Sequence, residues 1–203
     1  AILTRIEKQL DYVSGEVKLV VLATETPEGL LNINGFGACP RVDALSWGAE
    51  DLSAAIGARR NRDDAGQFLE VFRYARTMTL LAATAAGVQP LDTVFVDIRD
   101  TEGLRRDCVE GARMGFTGKI TIHPNQIDTV NTVFIPSAEE IAESQALLAA
   151  FKENEKAGKM AFSFKGEMVD VPHLTRARTI LERAKKAGLV AVSYTHRTIP
   201  PKD

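Results

Sequence analysis

The sequence predicts an α/β protein built on a parallel β-sheet, and three observations lead to this prediction. Helical and strand patterns alternate through the first 135 residues, an order typical of parallel strands joined by right-handed crossovers. Each of four apolar runs is followed by polar residues, as expected where a parallel sheet gathers functional side chains at the carboxyl ends of its strands. Hydrophobic residues make up 45% of the 203-residue chain, which is enough for a sizeable core.

The first elements are an amphipathic helix and a buried strand. The helix pattern lies within residues 1–15, and its apolar positions share one face. It starts partway through the pattern and without methionine, so we expect the true N-terminus to lie upstream. An apolar run then predicts a strand over residues 17–24, and a short helix follows over 27–33.

The second strand and the longest helix of this region come next. Residues 42–48, VDALSWG, read as a buried strand, and a loop with a short helix follows. A stripe of apolar side chains at helical spacing then predicts a long helix over residues 66–86.

Two further strands flank a capped helix. The run DTVFVDIRD, residues 92–100, is rich in β-forming residues and predicts the third strand. Thr101 is predicted to cap the following helix and Gly115 to end it. Residues 118–124 predict the fourth strand.

Beyond residue 135 the sequence predicts a separate helical extension over residues 136–190. Ser137 is placed to cap a long helix that carries Glu139 and Glu140 in its first turn. A hairpin or short ordered loop and a last helix, which Gly188 ends, complete the extension. Residues 191–203 form a tail with weak structural signals.

Charge and cysteine content exclude several functional classes. The net charge of −2 argues against nonspecific binding to nucleic acids or acidic membranes. No apolar run approaches the ~20 residues that a membrane helix needs. The two distant cysteines, Cys39 and Cys108, indicate reduced thiols and a cytoplasmic protein.

The polar residues that follow the first two strands suggest a metal site. Glu25 and Asp51 come after consecutive strands of the predicted sheet, where their side chains can converge. Two neighbouring carboxylates repel each other unless a cation lies between them, and Mg²⁺ is often held by one or two carboxylates. Alternatively, each acid caps a loop or helix.

The turn before Asp51 could also receive an anion. Gly48 and Ala49 are small enough to let backbone N–H groups approach a ligand, and a helix N-terminus attracts a carboxylate. A plain strand-to-helix turn would need the same residues. Asp170 could by itself be only a helix N-cap, and structural roles are the simpler interpretation of His123 and His173.

Four segments of the sequence together carry a resemblance to one protein family. They are TETPEG at 24–29, LSWGAEDLSAAIGARRNRDD at 45–64, DTVFVDIRDTEGLRRDCVEGARMGFTGKITIHPNQID at 92–128 and GEMVDVPHL at 166–174. These segments resemble the HpcH/HpaI aldolase/citrate lyase family, which includes the citrate lyase beta subunit and the malyl-CoA and citramalyl-CoA lyases. The resemblance spans residues 15–188. It implies a (β/α)₈ barrel, of which residues 1–135 resemble the C-terminal half, with four of the eight strands.

The resemblance also implies roles for individual residues. Glu25 and Asp51 match the two Mg²⁺ ligands of the family. The backbone at Gly48, Ala49 and Glu50 matches the stretch that holds a keto-acid carboxylate. Asp170 resembles the catalytic acid that the C-terminal extension offers to a neighbouring subunit, so a homo-oligomer is expected, a trimer or a multiple of it.

The implied activity is Mg²⁺-dependent cleavage or formation of a carbon–carbon bond. The substrate would be a 3-hydroxy-acyl thioester of CoA or of an acyl carrier, and the products a keto acid and an acetyl-CoA-type thioester. Two alternatives stay open, a malyl-CoA type thioesterase and a subunit that works only with a carrier protein in a citrate lyase complex.

Overall fold

The computed structural model describes residues 2–190, so the predicted tail at 191–203 lies outside the described residues. The chain divides into two compact units, Ala1–Phe134 and Ile135–Asp203. Within the described part of the chain, no helix is long and apolar enough to span a membrane.

The first unit contains a four-stranded sheet in which every neighbouring pair is parallel. Its strands follow chain order, β1 (Leu19–Leu22), β2 (Val42–Ser46), β3 (Gln89–Asp92) and β4 (Gly118–Lys119). Within the described residues 2–190, these four strands form an open sheet rather than a closed barrel, with β1 and β4 at its edges. The predicted α/β class with four parallel strands is therefore confirmed.

Helices connect and flank these strands. They are α1 (Ile2–Gln9), α2 (Pro27–Leu31), α3 (Ala49–Ala55), α4 (Glu70–Ala86), α5 (Thr101–Met114) and α6 (Ile127–Phe134), with 3-10 helices at Ile33–Ala38 and Pro124–Gln126. Gly115 ends α5 in the left-handed conformation that glycine adopts without strain, as the sequence predicts.

Two clusters of buried apolar side chains form the core of this unit. One surrounds Trp47, Phe72 and Phe116 and includes residues of α3, α4, α5 and α6. The other packs Leu45 of β2 against Ala82 and Ala83 of α4. Burial of these apolar groups contributes the main favourable free energy that holds the helices on the sheet.

Two of the predicted strands were wrong in place or extent. The third strand occupies Gln89–Asp92 rather than 92–100, and the fourth covers only Gly118–Lys119 of the predicted 118–124. The β-forming run after Asp92 continues past the sheet edge into a turn, in which Asp97 accepts hydrogen bonds from the N–H groups of Arg99 and Asp100. Pro90 lies inside β3, and proline ordinarily argues against a strand.

Two predicted helix starts were also wrong. Asp100, not Thr101, caps α5, because its Oδ1 accepts the N–H of Gly103 at 2.8 Å. Helix α4 begins at Glu70 rather than at residue 66. The preceding residues form a turn, in which the Asp63 carboxylate accepts the N–H groups of Ala65 and Gln67.

The second unit consists of two helices and a hairpin. Helix α7 (Ala138–Lys156) starts with a capping box between Ser137 and Glu140, so the predicted Ser137 cap is confirmed. Strands β5 (Phe162–Phe164) and β6 (Glu167–Val169) pair antiparallel, and α8 (Val171–Lys186) follows. Buried side chains include Phe151 of α7 and Ala177 and Ala184 of α8.

Candidate functional site

Glu25 and Asp51 lie at the carboxyl ends of the neighbouring strands β1 and β2. Glu25 follows β1 by three residues and is half-buried, whereas Asp51 lies in the first turn of α3 and is exposed. The chain segments after β1 and β2 stay side by side, because the N–H of Ala23 donates to the carbonyl oxygen of Ser46 at 2.8 Å, just beyond the last residue pair of the two strands. Thr26 then caps α2 by accepting the N–H of Gly29 and so turns the chain away after Glu25.

Gly48 lies between the two carboxylates. A Cβ atom at this position would lie 2.9 Å from Cγ of Glu25, and 3.7 Å from both Oε1 of Glu25 and Oδ2 of Asp51. The two carboxylate oxygens thus lie within 3.7 Å of one point, so their separation cannot exceed twice that distance. Any side chain larger than that of glycine would therefore crowd Glu25.

The two carboxylates fit a hard divalent cation. Neither makes a side-chain hydrogen bond or an ion pair with another residue in the described range 2–190. Carboxylate oxygens are the ligands that Mg²⁺ prefers, and one or two of them suffice when water and substrate supply the rest. Residues 2–190 contain no group of three or more His, Cys, Asp or Glu side chains placed for a metal.

The start of α3 leaves backbone N–H groups without a side-chain cap. Gly48 is the N-cap residue and has no side chain that could accept a hydrogen bond from the first turn. Ala49 is buried, and the Glu50 side chain is turned toward the following loop, where its Oε1 accepts a hydrogen bond from Nδ2 of Asn61 at 2.6 Å. The backbone, rather than the Glu50 carboxylate, is therefore the part of this turn that can receive an anion.

A buried ionic cluster lies behind this turn. Asp92, at the end of β3, is fully buried and binds Arg76 of α4 through two hydrogen bonds, at 2.7 and 3.2 Å. Trp47 donates its indole N–H to the same carboxylate at 2.8 Å. Because a buried charge is costly unless it is paired, each member depends on its partners.

The cluster continues to α5 through Lys119 of β4. Its ammonium group lies 2.6 Å from Oδ2 of Asp107 and 3.5 Å from Oδ2 of Asp92, and Arg62 contacts the other oxygen of Asp107 at 2.8 Å. Burial raises the pKa of Asp107, but the positive charges of Lys119 and Arg62 outweigh burial and hold the pKa below its usual value. Asp107 is therefore ionised at neutral pH, and its charge is compensated inside the protein.

Burial and charge also perturb the groups around this cluster. Burial lowers the pKa of Arg76, but the charge of Asp92 and its hydrogen bonds reverse this effect and raise the pKa. Burial raises the pKa of the Cys108 thiol to about 11, which makes it an unreactive core residue.

Asp170 lies in the second unit, at the start of α8. It is the N-cap residue of that helix, which agrees with the simplest interpretation of the sequence, and its side chain is half exposed. Nδ1 of His173 lies 2.6 Å from Oδ1 of Asp170. His173 also lines a cleft of about 500 Å³ between α7, the hairpin and α8. The carboxylate is thus accessible and held by an imidazole.

The buried ionic cluster was not predicted from the sequence as a feature of the site. Two members carried a detectable signal, since Arg76 lies on the buried face of the amphipathic helix α4 and Lys119 lies in the two-residue strand β4 directly before Ile120. Charged residues inside apolar patterns indicate buried partners. Their partners could not be identified from sequence, because Asp92 and Lys119 are 27 residues apart.

Comparison with known proteins gives a consistent family assignment. The family profile of HpcH/HpaI aldolase/citrate lyase matches residues 1–124. Mitochondrial citramalyl-CoA lyase of Mus musculus is 42% identical over 171 residues, which cover 79% of this chain and 48% of that protein. A citrate lyase subunit beta-like protein of Mycobacterium tuberculosis is 39% identical over 168 residues, covering 83% and 60%. A (3S)-malyl-CoA thioesterase of Cereibacter sphaeroides is 37% identical over 161 residues, covering 79% and 55%.

Solved structures show the same fold. The protein CitE from Mycobacterium tuberculosis, in complex with magnesium, acetoacetate and coenzyme A, superposes with a TM-score of 0.72 at 32% identity, covering 89% of this chain and 72% of the other. A citrate lyase from Burkholderia xenovorans superposes with a TM-score of 0.77 at 25% identity, covering 94% and 60%. The chain spans about half the length of the curated relatives it matches.

Proposed function

Because this chain belongs to the HpcH/HpaI aldolase/citrate lyase family, we propose that it is part of a Mg²⁺-dependent carbon–carbon lyase acting on a 3-hydroxy-acyl thioester. The observation that carries the proposal is that Oε1 of Glu25 and Oδ2 of Asp51 both lie 3.7 Å from one position beside Gly48. Support comes from relatives named as citramalyl-CoA lyase and citrate lyase beta-like protein, and from a similar structure solved with magnesium and coenzyme A.

Glu25 and Asp51 would hold the cation. When bound, Mg²⁺ supplies Lewis acidity to the substrate oxygen at which charge develops during cleavage. The uncapped N–H groups at Ala49 and Glu50 would bind the carboxylate of the keto-acid part of the substrate. The Glu50 carboxylate does not compete for this role, since its side chain is turned toward Asn61.

Asp170 would exchange the proton. Cleavage breaks the carbon–carbon bond as the 3-hydroxyl group loses its proton, which gives a keto acid and the enolate of an acetyl-type thioester, and the enolate carbon must then gain a proton. The half-exposed Asp170 carboxylate would take up the hydroxyl proton and return it to the enolate carbon, with His173 orienting the carboxylate. We propose that Asp170 serves the site of a neighbouring subunit, which requires a homo-oligomer, a trimer or a multiple of it.

Two other functions share this site chemistry. A thioesterase would direct water at a malyl-type thioester, and a relative 37% identical to this chain is named (3S)-malyl-CoA thioesterase. A subunit dependent on an acyl-carrier protein is the other possibility, because citrate lyase beta-like proteins are among the relatives.

The test is a mass-spectrometric screen of the full-length protein with Mg²⁺ and citryl-, malyl- or citramalyl-CoA. A lyase releases an acetyl-type thioester and a keto acid, whereas a thioesterase releases free CoA and the intact hydroxy acid. Turnover only with an acyl-carrier protein would favour the carrier-dependent subunit. No product with any of these thioesters, with or without a carrier, would contradict the proposal.

Variants connect the activity to the site. Glu25→Gln and Asp51→Asn should each weaken Mg²⁺ binding at least about tenfold, because each removes a charged oxygen ligand. Asp64→Asn, which changes a carboxylate that is 91% exposed, is the matched control and should bind Mg²⁺ as the wild type does. Unchanged affinity in both site variants, measured by calorimetry, would place the metal elsewhere.

A further inference from the structure

Trp47 connects the buried ionic cluster to the candidate metal site. It is the residue immediately before Gly48, it is only 1% exposed, and its ring packs edge-on against Phe68 with centroids 4.9 Å apart. Its indole N–H donates to Oδ1 of Asp92 at 2.8 Å. This hydrogen bond thus fixes the side chain of Trp47, the residue directly before the Gly48 turn.

The Asp92 carboxylate is itself held from several directions. Oδ1 also accepts the N–H of Thr93 at 3.0 Å and Nε of Arg76 at 3.2 Å, while Oδ2 accepts Nη2 of Arg76 at 2.7 Å. Helix α5 packs closely on it at Gly111, where a Cβ atom would lie 2.8 Å from Oδ2 of Asp92. The carboxylate cannot rotate without breaking these contacts, so it offers the indole a fixed acceptor.

The bond between Trp47 and Asp92 holds the end of β2 to β3 beyond the last pair of residues in the ladder of these two strands. The pairing of β2 with β3 ends at Leu45 and Pro90. Beyond that rung, two contacts link the end of β2 to Asp92, a long 3.5 Å contact from the hydroxyl of Ser46 to the Asp92 carbonyl oxygen and the indole hydrogen bond. The shorter of these two contacts is the hydrogen bond from Trp47, which lies directly before the Gly48 turn.

We propose that Asp92, acting through Trp47, is a positioning residue for the Gly48 turn and sets the cation affinity of Glu25 and Asp51. The proposal rests on the proposed function, because it assumes that these two carboxylates hold Mg²⁺. Asp92 contacts neither the cation nor the substrate in this scheme. It acts by keeping the backbone at Gly48 where the two carboxylates can share one ion.

The test uses Trp47→Phe in the full-length protein, because phenylalanine keeps a buried aromatic ring and removes only the N–H donor. Mg²⁺ affinity by calorimetry should fall about tenfold, within the range seen when groups that orient metal ligands are removed. With a CoA thioester substrate, the Mg²⁺ concentration for half-maximal rate should rise by a similar factor.

The matched control is Val42→Ala, at the opposite end of β2, where the side chain is buried in the other apolar cluster. It should lower Tm without changing Mg²⁺ affinity. If Trp47→Phe lowers Tm as Val42→Ala does and binds Mg²⁺ as tightly as the wild type, Asp92 and Trp47 serve stability alone and the proposal is wrong.

Glu25→Gln separates this proposal from the proposed function. If Glu25→Gln weakens Mg²⁺ binding and Trp47→Phe does not, only the positioning role of Asp92 is refuted. If Glu25→Gln leaves Mg²⁺ binding unchanged, the assumed metal site is wrong, and the positioning role is overturned with it.

Discussion

Replacing Gly48 with alanine should impair the candidate metal site while leaving the fold intact. The new Cβ atom would lie 2.9 Å from Cγ of Glu25. Nonbonded carbon atoms rest about 3.5–4.0 Å apart, so Glu25 must move by about 0.6–1.1 Å. Because the Glu25 side chain is half-buried and can rotate, it moves before the backbone does.

The cost to function follows from this displacement. A misplacement of about 1 Å at a reacting centre costs roughly 10²-fold in rate, or about 2.7 kcal/mol of transition-state stabilisation. Overpacking of a half-buried site should cost about 1 kcal/mol of folding free energy, and so about 2–4 °C in Tm. We therefore expect kcat/KM to fall far more than stability does.

The assay compares Gly48→Ala with Gly35→Ala in the full-length protein. Gly35 has no atom within 4 Å of an added Cβ and no positive φ, so its replacement tests the glycine-to-alanine change alone. Mg²⁺ affinity by calorimetry, kcat/KM with the preferred thioester and Tm by scanning calorimetry are measured for both. If Gly48→Ala stays within twofold of Gly35→Ala in affinity and kcat/KM, the reasoning from the Gly48 space is refuted.

Three further predictions address the cluster, the N-terminal helix and the catalytic acid. Lys119→Met leaves Asp107 with one fewer buried partner and should cost about 3–5 kcal/mol of unfolding free energy in urea titrations; a loss below about 1 kcal/mol would contradict this. Hydrogen bonds from Arg41 lower the pKa of Glu7 from its ordinary value of 4.5 to about 2. Ionised Glu7 therefore stabilises the folded protein fully above pH 4.5, and this stabilisation is lost as the pH falls from 4.5 toward 2. Glu7→Gln should flatten the dependence of unfolding free energy on pH in that window. Asp170→Asn should lower kcat about 10²–10⁴-fold with unchanged Mg²⁺ affinity, and full activity would exclude its role in proton exchange.

Local signals predicted most of the elements, because each depends on residues close in sequence. The apolar periodicity placed the helices, glycine ended α5 at Gly115, and the serine at 137 capped α7 with Glu140. The prediction failed where a local signal competes with pairing. The β-forming run after Asp92 was taken as the third strand, yet Gln89–Asp92 lies beside β2 and β4.

Part of the candidate site was also predictable from local signals in the sequence. Parallel strands end at one edge of a sheet, so an acid after each of two consecutive strands predicts a pair of carboxylates. Nothing in the sequence shows that the Glu50 side chain turns to Asn61. The contact lies between exposed residues 11 positions apart, and no periodicity marks it.

The sequence by itself determined the α/β class, the family and the two acids at Glu25 and Asp51, because these depend on periodicity, short motifs and strand order. Only the tertiary structure decided that Gly48 lies between those acids, and that Trp47 reaches Asp92 from the next strand. Contacts of that kind join residues 45 positions apart, and burial makes them strong. Which residues make such contacts depends on how the strands and helices pack, and no local pattern in the sequence shows that packing.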